Sequence, residues 1–227
     1  TSVGGATAEP RGLLRVNVAH GFGMSQIVPA IPDFIARYPQ VDVRLTFTDH
    51  FVDLLAEGDD IAIRLGESRD EYLIARKLAD YTRMICGAPA YFERYGIPKT
   101  PADLANHRAV LSSNVDLLNT WPMRWPDGRR ERITMKGHVI SNSGDALYRL
   151  ALDGMGLGYT ADFLVYDDIA AGRLVEVLSD YLDRQVWPIY AVYPARKHLA
   201  AKVRAFVDFL VERFSPHPPW AQYHAQS

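Results

Sequence analysis

The chain has 227 residues, one cysteine and a formal charge of −2, which is length enough for one large domain or two lobes with a real core. Its 25 Lys and Arg against 27 Asp and Glu leave no electrostatic excess that would point to nucleic acid or a membrane surface, and no apolar run reaches the length of a transmembrane span. The lone Cys86, set in Met84-Ile85-Cys86, excludes an internal disulfide framework, fits a reducing compartment and reads as a buried, inert thiol.

Leu13, Leu14, Val16 and Val18 form a short apolar strand that stops at Ala19-His20-Gly21-Phe22-Gly23. The spacing then changes to Met24, Ile27, Val28, Ile31, Phe34, Ile35 and Tyr38, one face of a helix. Pro29 and Pro32 fall inside it and predict a kink or an interrupted first turn. After Pro39, Val41 to Phe47 restarts a period-two strand, Phe51 to Glu57 reads as a short helix stopped by Gly58, and Asp60 to Ile63 as a buried strand. Strands alternating with helices predict a parallel sheet, whose ligands sit beyond the carboxyl ends of the strands. His20 to Gly23 and Arg64 to Gly66 would lie there.

Leu73 to Gly87 reads as one or two strands, with the first crossing between lobes near Gly87, and Tyr91 to Tyr95 as a helix. Thr100 and Pro101 have the form of a helix start. Ala109 to Leu111 predicts a strand ending at Ser112-Ser113-Asn114. Trp121 to Arg132, with Pro126-Asp127-Gly128, predicts a hairpin carrying Arg129, Arg130 and Arg132. That basic cluster reads as a solvated hairpin, with a phosphate contact as the alternative. His138 to Asn142 is a further strand, and Ser143 caps a helix bearing Ala146, Leu147 and Leu150. A strand near Leu157 to Thr160, a helix from Asp162 to Gly172, a last strand from Trp187 to Tyr193 and a closing helix from Leu199 to Phe214 complete the pattern. The proline-containing segment beyond Ser215 predicts a poorly ordered tail.

The motifs argue against chemistry. Gly154-x-Gly156-x-Gly158 follows a helix and opens a strand, the reverse of a dinucleotide fingerprint, so it reads as a tight turn. Seven histidines lack ligand spacing, so no metal is expected, and there is no Gly-x-Ser-x-Gly and no Gly-Lys-Ser/Thr. No cofactor and no enzymatic activity are expected. His20-Gly21-Phe22-Gly23 is either an anion cradle at a helix start or a plain turn. Arg64, at a strand end, is either an anion partner or a solvated charge.

Five pieces in order carry a family resemblance: "FIARYPQVDVRLTF", "DLLAEGDDIAIRLGE", "LALDGMGLGYTADFLVYDDIAAGRLVEVL", "YAVYPARKHLAAKVRAFVDFLVERF" and the strand and turn ahead of them. Together, from about Gly12 to Phe214, they resemble the effector-binding part of a LysR-type transcriptional regulator. The resemblance implies an α/β fold of the type 2 periplasmic-binding-protein kind, two Rossmann-like lobes joined by two crossover strands around a cleft. Lobe I would be residues 12–87 with 189–214, lobe II residues 88–188. Residues 1–11 would be a linker remnant and 215–227 a flexible tail. DNA would be read only by a winged helix-turn-helix ahead of this chain, which looks like a fragment that begins at the linker. It further implies a small-molecule effector, a cytoplasmic location with no membrane contact, and a homodimer or higher homo-oligomer in which the Met24 to Tyr38 helix packs on the partner's Gly144 to Leu152 helix. A free-standing periplasmic solute-binding protein shares the fold and is the alternative; an enzyme on that fold is a third.

The expected ligand contacts are the polar strand ends: His20, Gly21, Phe22 and Arg64 from lobe I; Ser112, Ser113, Asn114, Asn142 and Ser143 from lobe II; Tyr159 and Thr160 at the rim. Donors predominate, which suits a small anion, most simply a carboxylate. Phe22 and Tyr159 would cover its apolar body.

Overall fold

The computed structural model describes residues 9–48, 58–67, 72–195 and 198–221. The chain divides into two compact units, residues 1–80 with 187–219 and residues 81–186 with 220–227.

The first unit is a five-stranded sheet in the order β2, β1, β3, β12, β4, built from β1 (Gly12–Val18), β2 (Val41–Phe47), β3 (Ile61–Leu65), β4 (Leu73–Tyr81) and β12 (Trp187–Pro194). β1 pairs parallel with both β2 and β3, as the strand and helix alternation predicts. β12 runs antiparallel to β3, so the sheet is mixed rather than all parallel. In this register Val16 and Val18 stand beside Ile61 and Ile63, while Asn17 stands beside Ala62. Strand alternation therefore gives the sheet one apolar face and one face carrying Asn17 and Arg64.

The apolar face is shared with helix. Between His20 and Arg37 the chain is helical throughout, but it changes hydrogen-bond register: α1 (His20–Phe22), a π turn (Gly23–Ile27), a 3-10 turn (Val28–Ala30) and α2 (Ile31–Arg37). The interruption expected from Pro29 and Pro32 takes this form, since neither imide nitrogen can donate to the ladder. The start lies earlier than the sequence pattern suggests, because Gly21 and Gly23 are helical rather than turn residues. Gly23 is needed for proximity: a Cβ there would sit 2.7 Å from Val18 Cγ1 and from the Phe47 ring. The closing helix, labelled α6 (Ala201–Phe214), presents Phe206, Phe209, Leu210 and Phe214, all buried. Phe34 of α2 meets the Phe206 and Phe209 rings at 5.0 and 5.3 Å, edge-to-face and tilted, geometries that add to area burial. The short helix expected over residues 51–57 lies outside the described residues.

The second unit holds β5 (Arg83–Gly87), α3 (Pro89–Tyr95), β6 (Val110–Ser112), the hairpin β7 (Thr120–Arg124) and β8 (Arg130–Thr134), β9 (Val139–Ser141), α4 (Gly144–Leu152), β10 (Gly158–Ala161), α5 (Asp162–Ala170) and β11 (Val175–Val177). β5 lies between β10 and β11, antiparallel to both. This pairing moves the first crossing: Arg83 to Gly87 belongs to the second unit, and the break falls at Tyr81 rather than near Gly87. β11 was absent from the sequence pattern because three residues carry too little period to be read. β6 and β9 pair in parallel, and a parallel bridge from Ala109 to Leu157 brings β10 alongside β6. The glycine run between α4 and β10 is the expected tight turn, with Gly154 at φ +75°, a conformation that favours glycine. Trp121, Met123, Ile85, Tyr91, Leu157 and Leu182 belong to one buried cluster of this unit, and Met84, Cys86, Val165 and Leu174 to a second.

The tail departs from expectation. Trp220 is fully buried, 6.0 Å from the Phe163 ring, and Phe163 in turn lies 5.3 Å from Tyr81. Trp220 is thus held in the second unit through an aromatic side chain that the proline content obscured; residues 222–227 lie outside the described residues.

Candidate functional site

In the first unit the strand ends are largely occupied by their own side chains. Phe22 has no exposure and its ring lies 5.7 Å from Phe214, so it fills the core and is not placed to cover a ligand. His20 is half-buried with its ring 5.5 Å from Phe47, and Gly21 adjoins it in the first helical turn. Arg64 lies within β3 rather than beyond it and is only 8% exposed. Its Nη2 donates to Asn17 Oδ1 at 3.0 Å and its Nη1 to the Ile63 carbonyl at 3.2 Å. Asn17 Nδ2 donates onward to Asp59 Oδ2 at 2.9 Å. Burial lowers the Arg64 pKa, and the Asp59 charge opposes that. The guanidinium is therefore engaged in a polar node inside its own unit.

The second unit brings its residues together differently. β6 and β9 end side by side, and the turns beyond them are stitched by Ser113 N–H to the Ser141 carbonyl at 3.0 Å and by Asn114 Nδ2 to the Asn142 carbonyl at 2.8 Å. Ser112 Oγ accepts from the Asn114 and Val115 amides, both at 3.3 Å. Ser143 caps α4 by accepting from Ala146 N–H at 3.2 Å, and its own N–H donates to Ser141 Oγ at 3.1 Å. The first-turn amides of α4 thus open beside a turn rich in hydroxyls and side-chain amides, with Asp145 the acidic residue in that first turn.

β10 leaves the sheet at the same end. Thr160 is half-buried, and Tyr159 is half-buried with its ring 6.0 Å from Trp121. Burial raises the Tyr159 pKa, while Arg83 and then Arg132 oppose it. Two contributors escaped the sequence reading. Arg83 opens β5, opposite Ala161; its Nη1 donates to the Tyr159 carbonyl at 3.4 Å and its guanidinium lies 5.9 Å from the Tyr159 ring. Asn119 clamps the serine turn, accepting from Ser112 N–H at 2.8 Å and donating to the Ser112 carbonyl at 2.7 Å. Neither has a local motif; the alternation along Leu73 to Gly87 was the available hint for Arg83.

Cys86 is buried, and burial pushes its thiol up to about 12, which keeps it protonated and unreactive at neutral pH. Among the described residues no three His, Cys, Asp or Glu side chains cluster as metal ligands, and no helix is long and apolar enough to cross a membrane.

The family profile described as LysR substrate binding domain matches residues 7–215. The chain belongs to this family. The LysR-type chain is 36% identical over 211 residues to the HTH-type transcriptional regulator DmlR of Escherichia coli, covering 92% of this chain and 68% of that protein. It is 34% identical over 203 residues to the HTH-type transcriptional regulator CrgA of Neisseria meningitidis, covering 89% and 67%. The solved regulatory domain of CrgA superposes with a TM-score of 0.82 at 31% identity, over 91% of this chain and all of that one. The full-length Vibrio cholerae AphB shares the fold, with a TM-score of 0.79 at 24% identity over 90% of this chain and 69% of that one. The matches to DmlR and CrgA span about two thirds of those relatives, and the region matched is the substrate-binding part of a LysR-type transcriptional regulator, with the type 2 periplasmic-binding-protein fold. Family membership also decides against a free-standing solute-binding protein.

Proposed function

We propose that this domain senses a small carboxylate at the strand ends of its second unit and changes geometry on binding, without performing a reaction. The convergence of Ser112 to Asn114 with Asn142 and Ser143 at the start of α4 carries this reading, because the positive end of a helix and a set of hydroxyls and side-chain amides are suited to a carboxylate. Tyr159, Thr160 and Arg83 flank it within the same unit. Arg64 and Phe22 leave the list as direct contacts, since each is taken up inside its unit. Occupancy shifts a conformational equilibrium by the ligand's differential affinity for the two states, and a DNA-reading part of the regulator would feel that shift.

The companion proposals are self-association and a cytoplasmic location. Met24 and Val28 are 45% and 38% exposed on the helical run before α2, and Leu147 and Leu150 of α4 are half-buried; the pairing of these two faces across a two-fold axis would cover both. Sedimentation velocity on Met24→Glu is expected to shift the population to monomer.

Calorimetric titration against a panel of small carboxylates, aromatic acids and amino acids tests the main reading. A carboxylate should bind, and Ser143→Ala together with Ser112→Ala should weaken it by about tenfold or more. Binding of only neutral or cationic compounds, or affinity indifferent to both serines, would overturn the carboxylate site.

A further inference from the structure

β6 is only three residues long, and its end is completed by a side chain rather than by a strand. Successive peptide groups of a strand face opposite edges. Ser113 N–H bonds to the Ser141 carbonyl on the β9 edge, whereas Val110 N–H bonds to the Leu157 carbonyl on the other. The Ser112 peptide groups therefore face the Leu157 edge, where among the described residues no strand pairs with them. The Asn119 side chain takes that place, with Ser112 N–H donating to its Oδ1 at 2.8 Å and its Nδ2 donating to the Ser112 carbonyl at 2.7 Å. A primary amide carries the same donor and acceptor that a peptide group offers across a sheet. An aspartate there could only accept, and an alanine could do neither.

Asn119 is itself held from behind. It ends the 3-10 segment Asp116–Asn119 and adjoins β7. Its carbonyl accepts from Met135 N–H at 2.8 Å, just beyond β8, and the neighbouring Leu118 carbonyl accepts from Trp121 Nε1 at 3.1 Å. Met135 and Trp121 are both buried, so the support is the packed root of the hairpin. Outward from Asn119 the bonds continue to the turns. Ser112 Oγ accepts from the Asn114 and Val115 amides, and Asn114 Nδ2 reaches the Asn142 carbonyl, next to the Ser143 that caps α4. One side chain thus stands between a packed hairpin and the polar turns, and a site is held to its geometry by such supporting bonds.

We propose that Asn119 is a positioning residue of the effector site, acting through Ser112; the inference rests on the carboxylate reading of the serine turns. Its amide fixes the main chain of Ser112 without adding charge, and the fixed Ser112 hydroxyl then sets the direction of the two amides that follow. Asn119→Ala removes both bonds to Ser112. Asn119→Asp keeps the size and the acceptor, but turns a second acceptor toward the Ser112 carbonyl and brings a negative charge behind a site that takes an anion.

Titration of isotope-labelled protein with acetate and with benzoate at constant ionic strength, followed by amide chemical shifts, tests this. In the wild type at least one acid should shift the Ser113 and Ser143 amides saturably, and Asn119→Ala and Asn119→Asp should each weaken that binding by about tenfold or more. A residue that acts through Ser112 is not additive with it: Asn119→Ala combined with Ser112→Ala should lose no more than about threefold beyond the larger single loss. Hydrogen exchange of the Ser112 amide should quicken in Asn119→Ala, which reads the clamp directly. Circular dichroism establishes that the variants are folded; if Asn119→Ala is not, Asn119→Asp carries the comparison, and unfolding of both would overturn the positioning role in favour of a purely structural one. Wild-type binding at these amides with equal affinity in the variants, or fully additive losses, would overturn this inference alone. No saturable shift of these amides by either acid in the wild type would sink the carboxylate reading and this inference with it.

Discussion

The ends of β1 and β3 in the first unit and the ends of β6 and β9 in the second follow one plan, parallel strands that carry polar residues at or near their carboxyl ends. Their polar groups have opposite fates. In the first, Arg64 turns back along the sheet to Asn17 and Phe22 turns into the core against Phe214. In the second, the serines and asparagines bond to each other and to main chain at the turn itself, around the start of α4. Strand-end position alone does not make a ligand contact. What the neighbouring strand offers decides whether a polar side chain is drawn inward or left outward.

The largest expected effect comes from removing a group that the first unit uses internally. Phe22→Ala should cost about 3–5 kcal/mol of stability in chemical denaturation, the range for deleting a buried aromatic, with effector affinity of the folded protein unchanged. Arg64→Ala should cost about 1.5–3 kcal/mol, as expected for a buried hydrogen bond to a charged group, visible as a lower urea midpoint with little change in effector affinity. Wild-type stability with a tenfold loss of affinity would reverse the contrast and restore Arg64 as a ligand contact.

The second unit should respond the other way. Ser143→Ala should cost only about 1 kcal/mol through the lost cap, yet weaken effector binding by about tenfold or more, and Ser143→Thr should recover most of the stability. Loss of the cap without loss of affinity would show that the α4 start is structural too. The smallest effect is on pH dependence. His107 is 5% exposed and its Nδ1 lies 2.9 Å from Tyr91 Oη. Burial lowers its pKa below the ordinary 6.5, with Asp103 opposing. The unfolded chain therefore binds the proton more readily, and stability should fall as pH drops from about 6.5 toward the folded pKa, below which the loss is complete. His107→Gln should flatten that slope in thermal melts taken between neutral and mildly acidic pH.

Much of the architecture was legible because period-two and helical spacings are strong over seven or more residues, as in β1, β2, α4 and α6. The capping serine of α4 and the Thr100 capping box, whose Asp103 Oδ2 accepts from Thr100 N–H at 2.9 Å, were legible from local chemistry. What the sequence concealed was set by tertiary partners. The antiparallel placement of β12, the allegiance of β5 to β10 and β11, and the inward turn of Arg64 all depend on strands distant in the chain. The tail was misread because proline content speaks for the backbone, whereas a single Trp220 side chain supplies the burial.

That tryptophan also governs how the molecule can be watched. Of the four tryptophans, Trp121, Trp125 and Trp220 belong to the second unit and Trp187 alone to the first. Intrinsic fluorescence is consequently an unequal witness, with Trp121 and Trp220 as shielded emitters that would shift to the red when the second unit opens. A melt followed by emission and one followed by far-ultraviolet dichroism should coincide only if both units lose structure together. A gap between the two curves would measure how independently the units come apart.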